Sequence, residues 1–308
     1  MHDFFILYPF LNRKSENQNR KLLKLSRPLH PLLAALTYLL GSSIPAYLGK
    51  SFSALAFWLG LAGVIFVQLA MSLLAEVFRP HNEPLIENET PKQKETLRNN
   101  LLYVSYGLLT VNAVLAFLLY INNSLVLESS LFLLSSLVTV ILYAVHPFRL
   151  IDRGFGELAL AAHIAYIIPS IGFLLQAKEN HRLLIILIIP LTALALAYFL
   201  ILNFTSFTID QKYQRATLLR SLTWERAVPF HHSLIVFAYG IFAAVPLLGY
   251  SFSLIWPAFL TLPFAILQII HLRHISIGGK PNWIFLTTTA LAVFGLTTYF
   301  ITLTFWLR

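Results

Sequence analysis

The 308-residue sequence contains no cysteine. Disulfides, zinc–thiolate centres, iron–sulfur clusters and cysteine nucleophiles are therefore excluded. Charge is scarce as well. Asp, Glu, Lys and Arg together make up 11% of the residues, where a soluble domain carries about 25%. Aspartate is the scarcest of these, with Asp3, Asp152 and Asp210 the whole complement. The short segments of alternating polarity that build membrane barrels are also missing.

What the sequence does contain is long apolar runs. Hydrophobic residues account for 57% of the chain, and many runs approach the length of about 20 residues that spans a bilayer core. In lipid every backbone N–H and C=O needs an internal partner, so such runs are helices. The expected fold is all-α: a polytopic membrane protein of nine transmembrane helices. The spans are read as residues 30–49, 52–75, 98–120, 125–146, 155–176, 183–203, 228–249, 252–272 and 283–306. Together they make residues 26–308 one transmembrane domain. Residues 1–25 are expected to form a cytosolic or interfacial arm. Their apolar stretch, Phe4 to Phe10, precedes the basic residues and contains Pro9, the reverse of a signal peptide.

Orientation follows from the basic residues. Of the 22 Lys and Arg, all but Lys50, Lys178, Arg182 and Arg308 fall on one set of alternate connections. That set is assigned to the cytoplasm. The N-terminus is then cytoplasmic, the C-terminus lies on the opposite side of the cell membrane, and the two long connections, 76–97 and 204–227, are both cytoplasmic. The formal charge of +9 reflects this loop bias and implies no nucleic-acid partner.

Loops this long in a helical bundle are often functional. The second leaves a span as Asn203-Phe-Thr-Ser206-Phe-Thr-Ile-Asp210 and continues through Arg215 to Thr217-Leu218. Further upstream, Tyr143 to Glu157 contains Pro147, Arg149-Leu150 and Arg153-Gly154-Phe155-Gly156-Glu157. These stretches resemble two motifs of the UbiA superfamily of intramembrane prenyltransferases, as does the plan of nine spans with long loops after the second and sixth. The resemblance implies a helical bundle around a central cavity. It also implies transfer of a prenyl group from a prenyl diphosphate to an aromatic or lipid acceptor, with the diphosphate bound through Mg²⁺. Arg149, Arg153, Arg215 and Asn203 are then the diphosphate-binding candidates, and Asp210, Glu76 and Glu83 the metal candidates.

The departures concern the metal. Mg²⁺ requires hard oxygen ligands, and the family supplies them from two Asp-rich motifs. Here Ser206 stands at the first Asp position of the second motif. The first motif aligns in two ways. One places Met71, Ser72, Ala75 and Arg79 at its Asn and three Asp positions; the other places Ala75, Glu76, Arg79 and Glu83 there. Either way most ligands are missing and Arg79 brings a positive charge. Three readings stay open: a divergent transferase with Mg²⁺; a non-catalytic protein that binds an isoprenoid or quinone-type lipid or supports a membrane complex; and a transporter using the same cavity. The alternative roles of the candidates are ordinary ones. Asp210 pairs with a loop cation, Arg149 and Arg153 set topology, Gly154 and Gly156 make a turn, and Glu157 sits at a helix start. Gln68, Asn112, His163, Asn203 and Gln268 within spans are expected to face the bundle. His231, His232, His271 and His274 read as interfacial.

Overall fold

The computed structural model describes residues 25–80, 82–86 and 89–308. Apart from Leu25, the expected N-terminal arm lies outside the described residues. Among those described, no strand forms, and nine helices are long and apolar enough to cross a membrane. They are α1 (Leu29–Tyr47), α2 (Ala54–Val77), α3 (Pro91–Ile121), α4 (Leu127–Ala144), α5 (Gly156–Ala177), α6 (Arg182–Lys212), α8 (Trp224–Leu248), α9 (Trp256–Ser276) and α10 (Trp283–Trp306). A short helix, α7 (Leu218–Leu222), lies between α6 and α8.

Four boundaries differ from the hydropathy reading, each for a local reason. Helix α3 starts at Pro91, seven residues before the apolar run. Thr90 caps it, accepting from the Gln93 N–H while Gln93 reaches back to the Thr90 N–H, and proline at the first helical position needs no partner for an absent N–H. Helix α6 runs on to Lys212, because its last two turns hold polar residues tied to neighbouring segments. Helix α8 starts at Trp224, ahead of the apolar run. The eighth span begins at Trp256, after a 3₁₀ turn over Phe252–Leu254.

The order of burial defines the bundle. In the most apolar window of each span, 78% of residues are buried in α6 and 72% in α5, against 11% in α3. Helices α5 and α6 are therefore central, and α3 presents most of its surface to lipid. Helix α1 packs closely on α5. An added Cβ at Gly41 would come within 1.9 Å of the Pro169 carbonyl oxygen, and one at Gly172 within 2.6 Å of the Tyr38 carbonyl oxygen. Small residues at such crossings let backbones approach where no hydrophobic effect drives helices together.

Several polar side chains inside the bundle bond across helices. His163, at a π-helical turn of α5, bonds Gln68 of α2 through Nδ1 (2.9 Å) and Ser136 of α4 through Nε2 (2.8 Å). Gln268 of α9 bonds His231 of α8 at 2.9 Å. Both arrangements place the polar span residues inward, as a hydrocarbon surround requires. Asn112 is half-buried, with its side chain against Gly63 of α2. His271 bonds the Asn282 backbone at the start of α10.

Candidate functional site

At one end of the bundle the starts of α1 and α5 meet the ends of α2, α4 and α6 around a cavity of about 440 Å³. Its apolar wall comes from Leu160 of α5 and from Tyr198, Phe199 and Leu202 of α6. On α6 the lining continues through Asn203, Ser206 and Asp210. These positions recur at the three- and four-residue spacing of a single helix face. The apolar run and the polar motif are thus one continuous stripe, apolar toward the bundle centre and polar at the mouth.

The mouth is built of ion pairs. Glu76 accepts from Arg27 at 2.8 Å and pairs with Arg79, one turn on. Arg79 also reaches Glu83 at 3.1 Å. Glu83 in turn takes Arg215, whose Nε lies 2.9 Å from Oε2. Arg215 closes the chain on Asp210 at 3.0 Å, and the other Asp210 oxygen accepts from Ser206 at 2.5 Å. The carboxylates of Glu76, Glu83 and Asp210 are each 1–2% exposed. Arg215 is pushed down to about 10, first by burial and then by the neighbouring cations Arg79 and Arg27. It remains a cation at neutral pH. Burial also lowers Arg79, with Glu76 opposing. For Arg27 burial pulls the same way, but Glu76 and Tyr143 outweigh it and hold the guanidinium above its ordinary value.

A second set of contacts holds the frame. Glu157, at the start of α5, accepts from Asn203 Nδ2 at 2.6 Å and from the Leu218 N–H at 3.2 Å. It thereby clips α5 to α6 and to the start of α7. Arg149 sits at φ +37°, a left-handed conformation costing a non-glycine residue ~1–2 kcal/mol. Its side chain pairs with Asp152 and donates to the Ala75 and Ala144 carbonyls, both at 3.2 Å. Arg153 donates to the Pro147 carbonyl at 2.5 Å and forms a parallel bridge with Ala216. Gly154 is at φ +78°, and a Cβ at Gly156 would lie 2.7 Å from Ile151 Cα. The turn between α4 and α5 needs both glycines.

Of the seven candidates read from the sequence, Arg149, Arg215, Asn203, Asp210, Glu76 and Glu83 line one cavity; Arg153 is exposed beside it. Sequence reasoning missed Arg27, His30 and Tyr198. In the sequence Arg27 is one of the basic residues that set topology, and nothing in the one-dimensional pattern brings the start of α1 to the end of α2. Tyr198 lies five residues before Asn203 on the same helix, so a helical projection of α6 carries that signal.

Magnesium does not fit this donor set. Of the carboxylates that line the cavity, Glu76, Glu83, Asp152 and Asp210 are already bound to guanidiniums and Glu157 to Asn203 and the Leu218 N–H, and no group of three or more His, Asp or Glu among the described residues could hold a metal ion. Arg79, lying between Glu76 and Glu83, supplies positive charge where a cation would bridge them.

No protein-family model and no curated protein matches the sequence. Solved structures do match. One, from work on digeranylgeranylglyceryl phosphate synthase in membranes, is 17% identical, with 94% of this chain and 98% of that chain covered and a TM-score of 0.62. A UbiA homologue from Archaeoglobus fulgidus bound to GPP and Mg²⁺ is 14% identical over 92% of this chain and 99% of its own, with a TM-score of 0.60. The same homologue bound to DMAPP and Mg²⁺ is 15% identical over 94% and 100%, also at 0.60. The chain has the UbiA fold. At these identities the likeness is one of architecture, and it agrees with the resemblance carried by Arg149 to Glu157 and Asn203 to Leu218. This UbiA-fold chain is an integral membrane protein.

Proposed function

We propose that this protein seats an isoprenoid lipid in its membrane cavity and does not ionise a prenyl diphosphate through magnesium. The observation that carries the reading is the ion-pair chain Arg27–Glu76–Arg79–Glu83–Arg215–Asp210. A metal-assisted transferase needs carboxylates free to bind cations that neutralise the leaving diphosphate. Here the same positions carry their own permanent counter-charges. Binding is retained: an apolar recess opens beside a polar mouth, the arrangement expected of a small-molecule site. The whole domain, residues 26–308, serves as the scaffold, with the mouth and N-terminus on the cytoplasmic side, as the distribution of Lys and Arg supports.

The chain's own residues divide the work as follows. Glu157, Asn203 and the Leu218 N–H hold the segment after α6 against α5. Arg149 and Arg153 brace the α4–α5 turn. The ion-pair chain closes the mouth between the start of α1, the end of α2 and the end of α6. Leu160, Tyr198, Phe199 and Leu202 form the recess that receives the isoprenoid.

One observation favours a second reading, a divergent prenyltransferase: Asn203, Asp210, Arg215 and Thr217 of the motif resemblance all line the cavity. In that case Arg215 would have to release Asp210 and Glu83 before a metal bound. Native mass spectrometry of the full-length protein, released from vesicles containing polyprenyl lipids, tests the first reading. Bound isoprenoid, reduced by a Leu202→Phe substitution that fills the recess, is expected. Absence of any isoprenoid adduct contradicts it.

A further inference from the structure

Four arginines and five carboxylates line the cavity, so the lining itself carries no surplus of positive charge; Lys94, Arg98 and Arg220 stand outside it, on the Glu83, Arg79 and Asp210 carbonyls. An entering diphosphate would have to pull guanidiniums away from buried carboxylates, and leaving one partner of a buried pair uncompensated is strongly unfavourable. Electrostatic attraction of an anionic ligand needs a net field of the opposite sign. The ion-pair chain removes it from the cavity lining.

Two uncharged polar groups in the same cavity are unspent. The His30 ring and the Tyr198 hydroxyl line it, at 7% and 2% exposure, and neither makes a side-chain hydrogen bond with the described residues. Their polar atoms are not sealed in the protein but open onto the cavity, where a group that enters from outside the chain can bond them. They flank one aromatic side chain: ring centroids lie 5.5 Å apart for His30 and Phe199 and 5.0 Å apart for Tyr198 and Phe199. Here ring-bearing walls and hydrogen-bond donors meet, a setting for a flat, carbonyl-bearing ring.

We infer that the cavity takes a prenylated quinone, an isoprenoid with an uncharged, hydrogen-bond-accepting head group, in preference to a prenyl diphosphate. The head-group carbonyl accepts from Tyr198 or His30 beside Phe199. This rests on the reading that the cavity seats an isoprenoid, and it adds the chemistry of the head.

The test is equilibrium binding by the full-length protein in lipid nanodiscs. Three probes carry the same geranylgeranyl chain: a geranylgeranyl benzoquinone, geranylgeraniol, and geranylgeranyl diphosphate with and without magnesium. The quinone is expected to bind tightest, by about tenfold or more over the diphosphate, the factor that one hydrogen bond's worth of discrimination supplies. Tyr198→Phe keeps the ring and is expected to weaken the quinone about tenfold while leaving the diphosphate unchanged. Glu83→Gln removes one carboxylate from between Arg79 and Arg215, which keep Glu76 and Asp210, and is expected to raise diphosphate affinity without improving the quinone. Diphosphate binding as tight as the quinone in wild-type protein overturns the inference and leaves the isoprenoid reading standing. Geranylgeraniol binding as tightly as the quinone overturns the assignment of a ring. Failure of all three probes overturns both the inference and the reading beneath it.

Discussion

Arg79 is the residue on which the mouth turns. It sits one turn past Glu76 and bridges it to Glu83, which itself holds Arg215. Replacing Arg79 by Ala leaves Glu76 with Arg27 alone and Glu83 with Arg215 alone. Buried pairs broken from one side cost ~3–5 kcal/mol, at the low end here because each carboxylate keeps one cation. The expected outcome is a fall in unfolding temperature of several degrees in a fixed detergent, with Arg79→Lys recovering part of it. An unchanged melting profile would mean that these pairs contribute nothing. Glu157 makes a separate prediction. Glu157→Ala removes the acceptor for Asn203 and the Leu218 N–H, at ~1–3 kcal/mol for donors left unpaired. Limited proteolysis is expected to cut between Tyr213 and Thr223 sooner than in wild type. An unaltered cleavage pattern would show that the clip does not hold that segment.

At the scale of elements, the apolar runs locate nine helices almost to their ends, because hydrocarbon leaves a spanning backbone no alternative. The sequence misplaces the ends where polar residues decide them. Helix α3 gains its first turn from the Thr90–Gln93 capping box, and α6 gains its last two from Ser206, Asp210 and the arginines they meet. Neither helical extension is apolar, so hydropathy passes over them. The site is legible in part for the same reason. Asn203, Asp210 and Arg215 belong to one stretch and are read together, whereas Arg27 and His30 reach the cavity only because α1 packs on α5 and brings its start to the mouth. That packing is testable. Gly41→Ala places a methyl 1.9 Å from the Pro169 carbonyl oxygen, and overpacking of this kind costs ~1–3 kcal/mol. Reduced thermal stability is expected for Gly41→Ala and not for Gly107→Ala, where an added Cβ meets nothing within 4 Å.

At the scale of the whole molecule, the fold and the chemistry of its mouth point in different directions. The architecture follows UbiA homologues solved with GPP or DMAPP and Mg²⁺, while the carboxylates here are bound by arginines of the same chain. A bilayer-spanning scaffold depends on apolar patterning and close helix crossings, which tolerate exchange of the few polar groups at a cavity mouth. The absence of cysteine makes the topology easy to measure. Asn123→Cys, between α3 and α4, is expected to react with an impermeant maleimide in intact cells. Gln214→Cys, after α6, is expected to react only after permeabilisation. The reverse pattern would invert the orientation drawn from the basic residues.

The central claim is tested most directly by release of inorganic diphosphate from labelled prenyl diphosphates. Purified full-length protein in lipid would be supplied with aromatic and lipid acceptors, with and without magnesium. Bound isoprenoid with no magnesium-dependent release above a protein-free control is the predicted result. Release that requires magnesium and is abolished by Asp210→Ala would contradict it, and would make the ion-pair chain a resting state that opens to admit the metal.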